Sequence, residues 1–249
     1  MSQTTHDTLE TKNLHVAFGG IHALSGVDLM IETGIVQGLI GPNGAGKTTL
    51  VNVLSGFQPP TRGRVLLSGA DVSKQGPQKL AKAGIGRSFQ AARLFHDMTV
   101  TQNLMTPAIA TGLSKTKAHD RSEDILKWMG LSHLGNHLAG SLSYGDERRI
   151  SIARGLALDP KFVLLDEPAS GMNDSECQDL MNIILDIPSR FGCGVLLIEH
   201  NMKVIMGVCE RVHVLDGGRS LAEGTPSEVQ DNPDVRRAYL GDDDTTVAA

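Results

Sequence analysis

The chain has 249 residues, 40% of them apolar and 4% aromatic, with 28 glycines and a formal net charge of −5. That length can bury a substantial core without disulfides or metals, and the acidic balance and single tryptophan argue against a nucleic-acid partner, which calls for a basic footprint or a stacking platform. No run approaches the roughly 18 apolar residues of a membrane span, the polar opening MSQTTHDTLE lacks the apolar stretch of a secretory leader, and Cys177, Cys193 and Cys209, with no CxxC pair, predict reduced and mostly buried thiols.

In chain order, residues 9–18 and 22–33 read as two strands. The apolar run 35–40 fits a buried central strand that stops at Gly41. Residues 47–56 have helical spacing and end at a glycine; 63–68 and 85–89 are short strands. Between about residues 91 and 157 the pattern turns helical (100–110, 117–130, 146–158), which predicts an inserted helical subdomain. Strand and helix then alternate: 162–165, 174–190, 194–198, 202–209 and 211–215. Such alternation predicts a mostly parallel α/β sheet. The acidic end, 241–249, has little to bury and predicts a flexible tail after a single domain of residues 1–240.

The strongest chemical signal is GPNGAGKT at 41–48, a full G-x-x-x-x-G-K-[ST] between an apolar strand and a helix. Gly41, Gly44 and Gly46, with Pro42, Asn43 and Ala45 between them, let the backbone wrap close to an anion. The amides leading into the helix at Lys47, Thr48 and Thr49 then point at phosphate oxygens. Lys47 brings a cation to the β- and γ-phosphates, and the Thr48 hydroxyl suits Mg²⁺. The second signal is FVLLDE at 162–167, an apolar strand ending in two carboxylates. Asp166 can organise Mg²⁺ through water, and Glu167 can take a proton from an attacking water. Together these motifs predict a nucleoside triphosphatase that uses ATP and Mg²⁺.

A third segment, LSYGD at 142–146, opens a helix rich in arginine. At this point the sequence resembles the ATP-binding subunits of ABC transporters, over about residues 9–240 and with the motifs in the family's order. The usual LSGGQ is changed at Tyr144 and Asp146, while Ser143 and Gly145, the γ-phosphate contacts of the family, are kept. The resemblance implies a P-loop NTPase (RecA-like) core with an N-terminal antiparallel β subdomain and an inserted α-helical subdomain. It makes Phe18 the ring that stacks on adenine, Gln90 the glutamine that senses Mg²⁺ and water, and His200 a γ-phosphate contact. Asn173 falls where the family often has Asp, in the loop after Glu167.

In that family two nucleotide domains meet head to tail, so Ser143 and Gly145 would serve a partner's ATP. The second ATPase subunit could be the same or a different chain. Transmembrane permease subunits are implied, with a solute-binding protein acting indirectly, and so is a peripheral place at the cytoplasmic face of the cell membrane. Within the family, 87–100 (RSFQAARLFHDMTV), 166–173 (DEPASGMN) and 232–241 (NPDVRRAYLG) look like the ATPases of branched-chain amino-acid uptake systems. Urea and other amide importers use closely similar ATPases and stay open as an alternative. Two other classes are disfavoured: a soluble ABC-type ATPase acting on nucleic acid or ribosomes, and a P-loop kinase, which has no use for Ser143, Gly145 or His200. After Gln90, the side chains Leu94, Phe95 and Met98 form an apolar set expected to receive a helix from a membrane subunit.

Overall fold

The computed structural model describes residues 6–90 and 92–240. Strands β1 (Thr8–Phe18) and β2 (Ile21–Glu32) form a hairpin, and β3 (Val36–Ile40) runs into helix α1 (Lys47–Leu54). Next come β4 (Arg62–Leu67), β5 (Ala70–Asp71), α2 (Pro77–Lys82) and β6 (Ile85–Arg87). Helices α3 (Val100–Ala110), α4 (Lys115–Trp128) and α5 (Tyr144–Leu156) separate β6 from β7 (Phe162–Asp166). The chain continues with α6 (Asp174–Phe191), β8 (Gly194–Ile198), α7 (Met202–Val208), β9 (Arg211–Asp216), β10 (Arg219–Gly224), α8 (Pro226–Asp231) and α9 (Pro233–Leu240).

Two sheets result. One is antiparallel, in the order β2-β1-β4-β5. The other has the order β10-β9-β3-β8-β7-β6, and only β10 runs antiparallel to its neighbour. Strands β3, β7 and β8 are buried along their whole length, as their unbroken apolar runs require. Alternate side chains feed two cores. Val163, Leu165, Val195 and Leu197 pack with helices α3–α7. Phe162, Leu164, Leu196 and Ile198 pack with α1 and the antiparallel sheet. Each such side chain contributes roughly 1.5–3 kcal/mol by leaving water. This double burial fixes the carboxyl ends of three adjacent strands, β3, β8 and β7, along one edge.

The sequence reading placed α4 and α5 two residues late. Ser114 and Ser143 are the N-caps, accepting hydrogen bonds from the Lys117 and Asp146 amides, so each helix starts immediately after its serine. It also missed the short elements α2, β5, β10 and α8. The tail 241–249 lies outside the described residues. All three cysteines are free and buried, and desolvation pushes the Cys193 and Cys209 thiols up to about 12. Among the described residues no helix is long and apolar enough to cross a membrane.

Candidate nucleotide site

Residues 43–49 after β3, with Ala23 of β2 and Glu167 after β7, line a cleft of ≈ 220 Å³. Gly46 caps α1 in a left-handed conformation (φ 102°) and brings no side-chain acceptor. The first amides of α1 are therefore left for a ligand. A Cβ at Gly46 would stand 2.7 Å from the Ala23 carbonyl oxygen, and one at Gly41 would overlap the Leu215 carbonyl, so both glycines are required by packing as well as by φ. The Lys47 ammonium donates to the Gly41 (2.7 Å) and Pro42 (3.0 Å) carbonyls. Burial lowers its pKa, an effect opposed by the Glu167 and Asp166 carboxylates.

Asp166 and Glu167 do different things. The Asp166 side chain is nearly buried and pairs with Arg87, Nη2 to Oδ2 at 3.1 Å. Glu167 turns the chain at φ 48°, a left-handed position that costs a non-glycine residue on the order of 1–3 kcal/mol. Its amide donates to the Ile198 carbonyl, and its Oε2 accepts from the Gln90 side-chain amide at 2.9 Å. Gln90 also lines a second cavity of ≈ 550 Å³, bounded by Arg93, His96, Tyr144 and Arg148. A single amide thus spans from the phosphate cleft to the groove along α5. His200 is exposed at the end of β8, next to β7. Phe18 is half exposed at the tip of the β1–β2 hairpin rather than packed in a core, with Ile21 beside it.

Ser143 and Gly145 are not in this cleft. Ser143 caps α5, and its hydroxyl donates to Asp146 Oδ2 at 2.7 Å. The start of α5 leans on the loop after Glu167. A Cβ at Gly171 (φ 78°) would meet the Tyr144 ring at 2.9 Å, and one at Gly145 would meet Glu176 Oε1 at 2.7 Å. That Glu176 carboxylate forms a capping box with Asn173 at the start of α6, so a side chain at position 145 would have to displace the Glu176 carboxylate. Arg148 stacks on the Tyr144 ring at 4.7 Å and donates to its hydroxyl.

The expected apolar docking set is corrected by the structure. Leu94 is buried in the main core, so it cannot receive a partner; Phe95 stays half exposed and Met98 is partly buried. The buried Asn103 side chain holds this segment, accepting from the Phe95 amide (2.8 Å) and donating to the Phe95 and Thr99 carbonyls (3.0 Å each). Among the polar residues that escaped the sequence reading are Arg87, whose side chain is largely covered, and the buried Glu199, which ends the apolar run of β8, accepts from the Ala169 amide at 2.8 Å and has a carboxyl pKa raised by burial.

Comparison with known proteins agrees with this geometry. Residues 24–170 match the family described as ABC transporter, and residues 219–245 match a family described as branched-chain amino acid ATP-binding cassette transporter. The chain is 41% identical to the high-affinity branched-chain amino acid transport ATP-binding protein BraF of Pseudomonas aeruginosa and 40% identical to LivG of Escherichia coli, with 94% of this chain and 98% of each relative covered. It is also 38% identical to the lipopolysaccharide export system ATP-binding protein LptB of Escherichia coli, over 95% of this chain and 98% of that one. Among solved structures it superposes on the ADP conformation of an ABC transporter cassette (TM-score 0.86, 32% identity, 95% and 100% covered) and on a dimeric bacterial cassette (TM-score 0.78, 27% identity, 88% and 98% covered). A phosphate-binding loop, an acidic strand end and a separate serine-capped helix, in an order and fold shared across nearly the whole chain, leave one assignment: the chain belongs to the ABC transporter family, as an ATP-binding subunit that hydrolyses ATP.

Proposed function

We propose that this chain is the energy-coupling ATPase of an importer for branched-chain or related apolar amino acids, held at the cytoplasmic membrane face by permease subunits. The observation that carries the coupling role is the division of the site. Lys47, Thr48 and Glu167 line one cleft, while Ser143 and Gly145 stand on another helix N-terminus outside it. ATP bound at residues 41–49 would then be closed over by the α5 tip of a second cassette. The solute class is supported by the relatives' names and by the match at 219–245.

The residues fit Mg-ATP. Among the described residues no group of three or more His, Cys, Asp or Glu gathers to cage a metal. Mg²⁺ suits such a place only with phosphates supplying ligands beside one or two carboxylates. Thr48 and Asp166 would be the chain's donors for it, with Gln90 reaching in through its bond to Glu167, and when bound it would neutralise charge on the phosphate oxygens. Lys47 exchanges its two carbonyl partners for the β- and γ-phosphates. Glu167, held by Gln90, takes the proton of the attacking water. Phe18 stacks on the base, and His200 contacts the γ-phosphate.

Deleting the gene and measuring radiolabelled uptake tests the solute. Loss of leucine, isoleucine and valine uptake is the expected result. The likeness to LptB favours a second reading, lipid export, and normal uptake with defective lipopolysaccharide export would establish it in place of the first.

A further inference from the structure

Arg87 touches five side chains, three of them at the end of α1 and just beyond it. Its Nη1 donates to Asn52 Oδ1 (2.7 Å) and Ser55 Oγ (3.0 Å), both in or just after the last turn of α1, and its Nη2 pairs with Asp166 at 3.1 Å. Its guanidinium carbon lies 4.6 Å from the Phe89 ring and 5.6 Å from the Phe57 ring, and these two rings meet edge to face. Only 7% of the Arg87 side chain and 11% of the Asp166 side chain is exposed. The Arg87 Nε–H has no acceptor among the described residues. A buried ion pair with an orphaned donor is a poor stabilising device, since apolar residues of like volume commonly do as well or better. Its position suggests another use.

We propose that Arg87 is a positioning residue that occupies Asp166 Oδ2, turns Oδ1 toward the phosphate cleft, and keeps the site from taking a divalent cation before nucleotide arrives. This rests on reading Asp166 as the Mg²⁺ carboxylate. Lys47 in the cleft feels the Glu167 and Asp166 carboxylates, Arg87 pairs with Asp166, and the nearby Arg93 adds a further positive charge beside Arg87. A cluster without excess negative charge holds a bare divalent ion weakly, and the phosphates of ATP supply the missing negative charge. The same guanidinium fork ties Asp166 to α1, which carries Lys47 and Thr48 at its other end, so one side chain links the carboxylate to the helix that follows the phosphate loop.

Mn²⁺ titrated into the nucleotide-free full chain, read by the electron paramagnetic resonance of the free ion, tests the charge role. Arg87→Gln should bind Mn²⁺ roughly tenfold more tightly than the wild type. Adding Asp166→Asn to that variant should remove the gain. Arg87→Lys keeps the charge and should bind Mn²⁺ as weakly as the wild type. Its turnover at saturating Mg-ATP should nevertheless fall about tenfold, because an ammonium cannot hold Asn52, Ser55 and Asp166 at once. Unchanged Mn²⁺ binding in Arg87→Gln, with Asp166→Asn alone still abolishing turnover, overturns the Arg87 proposal and leaves the Asp166 reading intact. A gain in Arg87→Gln that survives Asp166→Asn overturns the Asp166 reading itself. If Arg87→Gln does not fold, Asn52→Ala loosens the fork while both charges stay. It should raise the Mg²⁺ concentration for half-maximal turnover about threefold without changing nucleotide affinity, and an unchanged Mg²⁺ requirement rejects the positioning role.

Discussion

Two helix N-termini in this molecule have opposite chemistry. Helix α1 begins after a left-handed glycine with no side-chain cap, so its amides stay available and a lysine stands beside them. Helix α5 begins after a serine that caps it, and that serine's hydroxyl is already engaged with Asp146. Both ends carry the partial positive charge of a helix start. The first has no acidic residue in its own first turn and meets the Glu167 carboxylate across the cleft, with the Thr48 hydroxyl beside it, whereas the second carries Asp146 and Glu147 in its own first turn. In the pairing proposed above, the anion site is divided between a strong half that would bind alone and a weak half that would matter only when pressed against a neighbour's nucleotide.

The strong half breaks most visibly at Glu167. Glu167→Gln should lower phosphate release by about 10²–10⁴-fold, because an amide cannot accept the proton, while nucleotide binding measured by equilibrium titration persists; normal turnover would reject Glu167 as the base. Lys47→Ala should come next, weakening ATP binding about tenfold or more through loss of charge-assisted hydrogen bonds of about 1.5–3 kcal/mol. Unaltered affinity would mean that the backbone amides alone hold the phosphates.

The weak half needs a different readout. In the Glu167→Gln background, Ser143→Arg should abolish the ATP-dependent dimer seen by light scattering, whether with itself or with its natural paired chain, and leave single-chain nucleotide binding unchanged. A dimer that forms regardless would dissolve the division drawn above. The smallest effect belongs to Asp146→Asn. It removes a carboxylate from the helix tip that would approach the partner's γ-phosphate and should tighten the ATP-bound dimer a few-fold, about 0.5–1 kcal/mol. Weaker association would show instead that the Asp146–Ser143 bond, along with the Arg149 pair at 3.0 Å, pre-shapes the surface.

The parts of the molecule also differ in how readable they were. The phosphate loop is contiguous, and its strand-before, helix-after setting is written within about twenty residues, so its residues and their placement followed directly. The strand ending in Asp166 and Glu167 was equally plain. Arg87 was not, because its partners Asn52 and Asp166 lie 35 and 79 residues away in sequence. Nothing local marks it as different from any arginine at a strand end. Leu94 and Phe95 are adjacent, and no periodicity in that short irregular segment tells which faces the core; Asn103 decides it through hydrogen bonds to the backbone of the segment. The missed β10 is an exposed edge strand of mixed polarity, where burial leaves no alternating pattern to see.

Tyr144 rests on Gly171, and the Glu176 carboxylate crowds Gly145. The tip of α5 is therefore packed against the loop that leaves Glu167 and the start of α6. In a paired arrangement, whatever moves that loop when this chain's own phosphate departs would turn the tip pressed on the neighbour's nucleotide. Two such chains would keep time with each other through side-chain contact alone. A larger residue at position 171 would slip that timing even while each cleft, taken singly, still bound ATP.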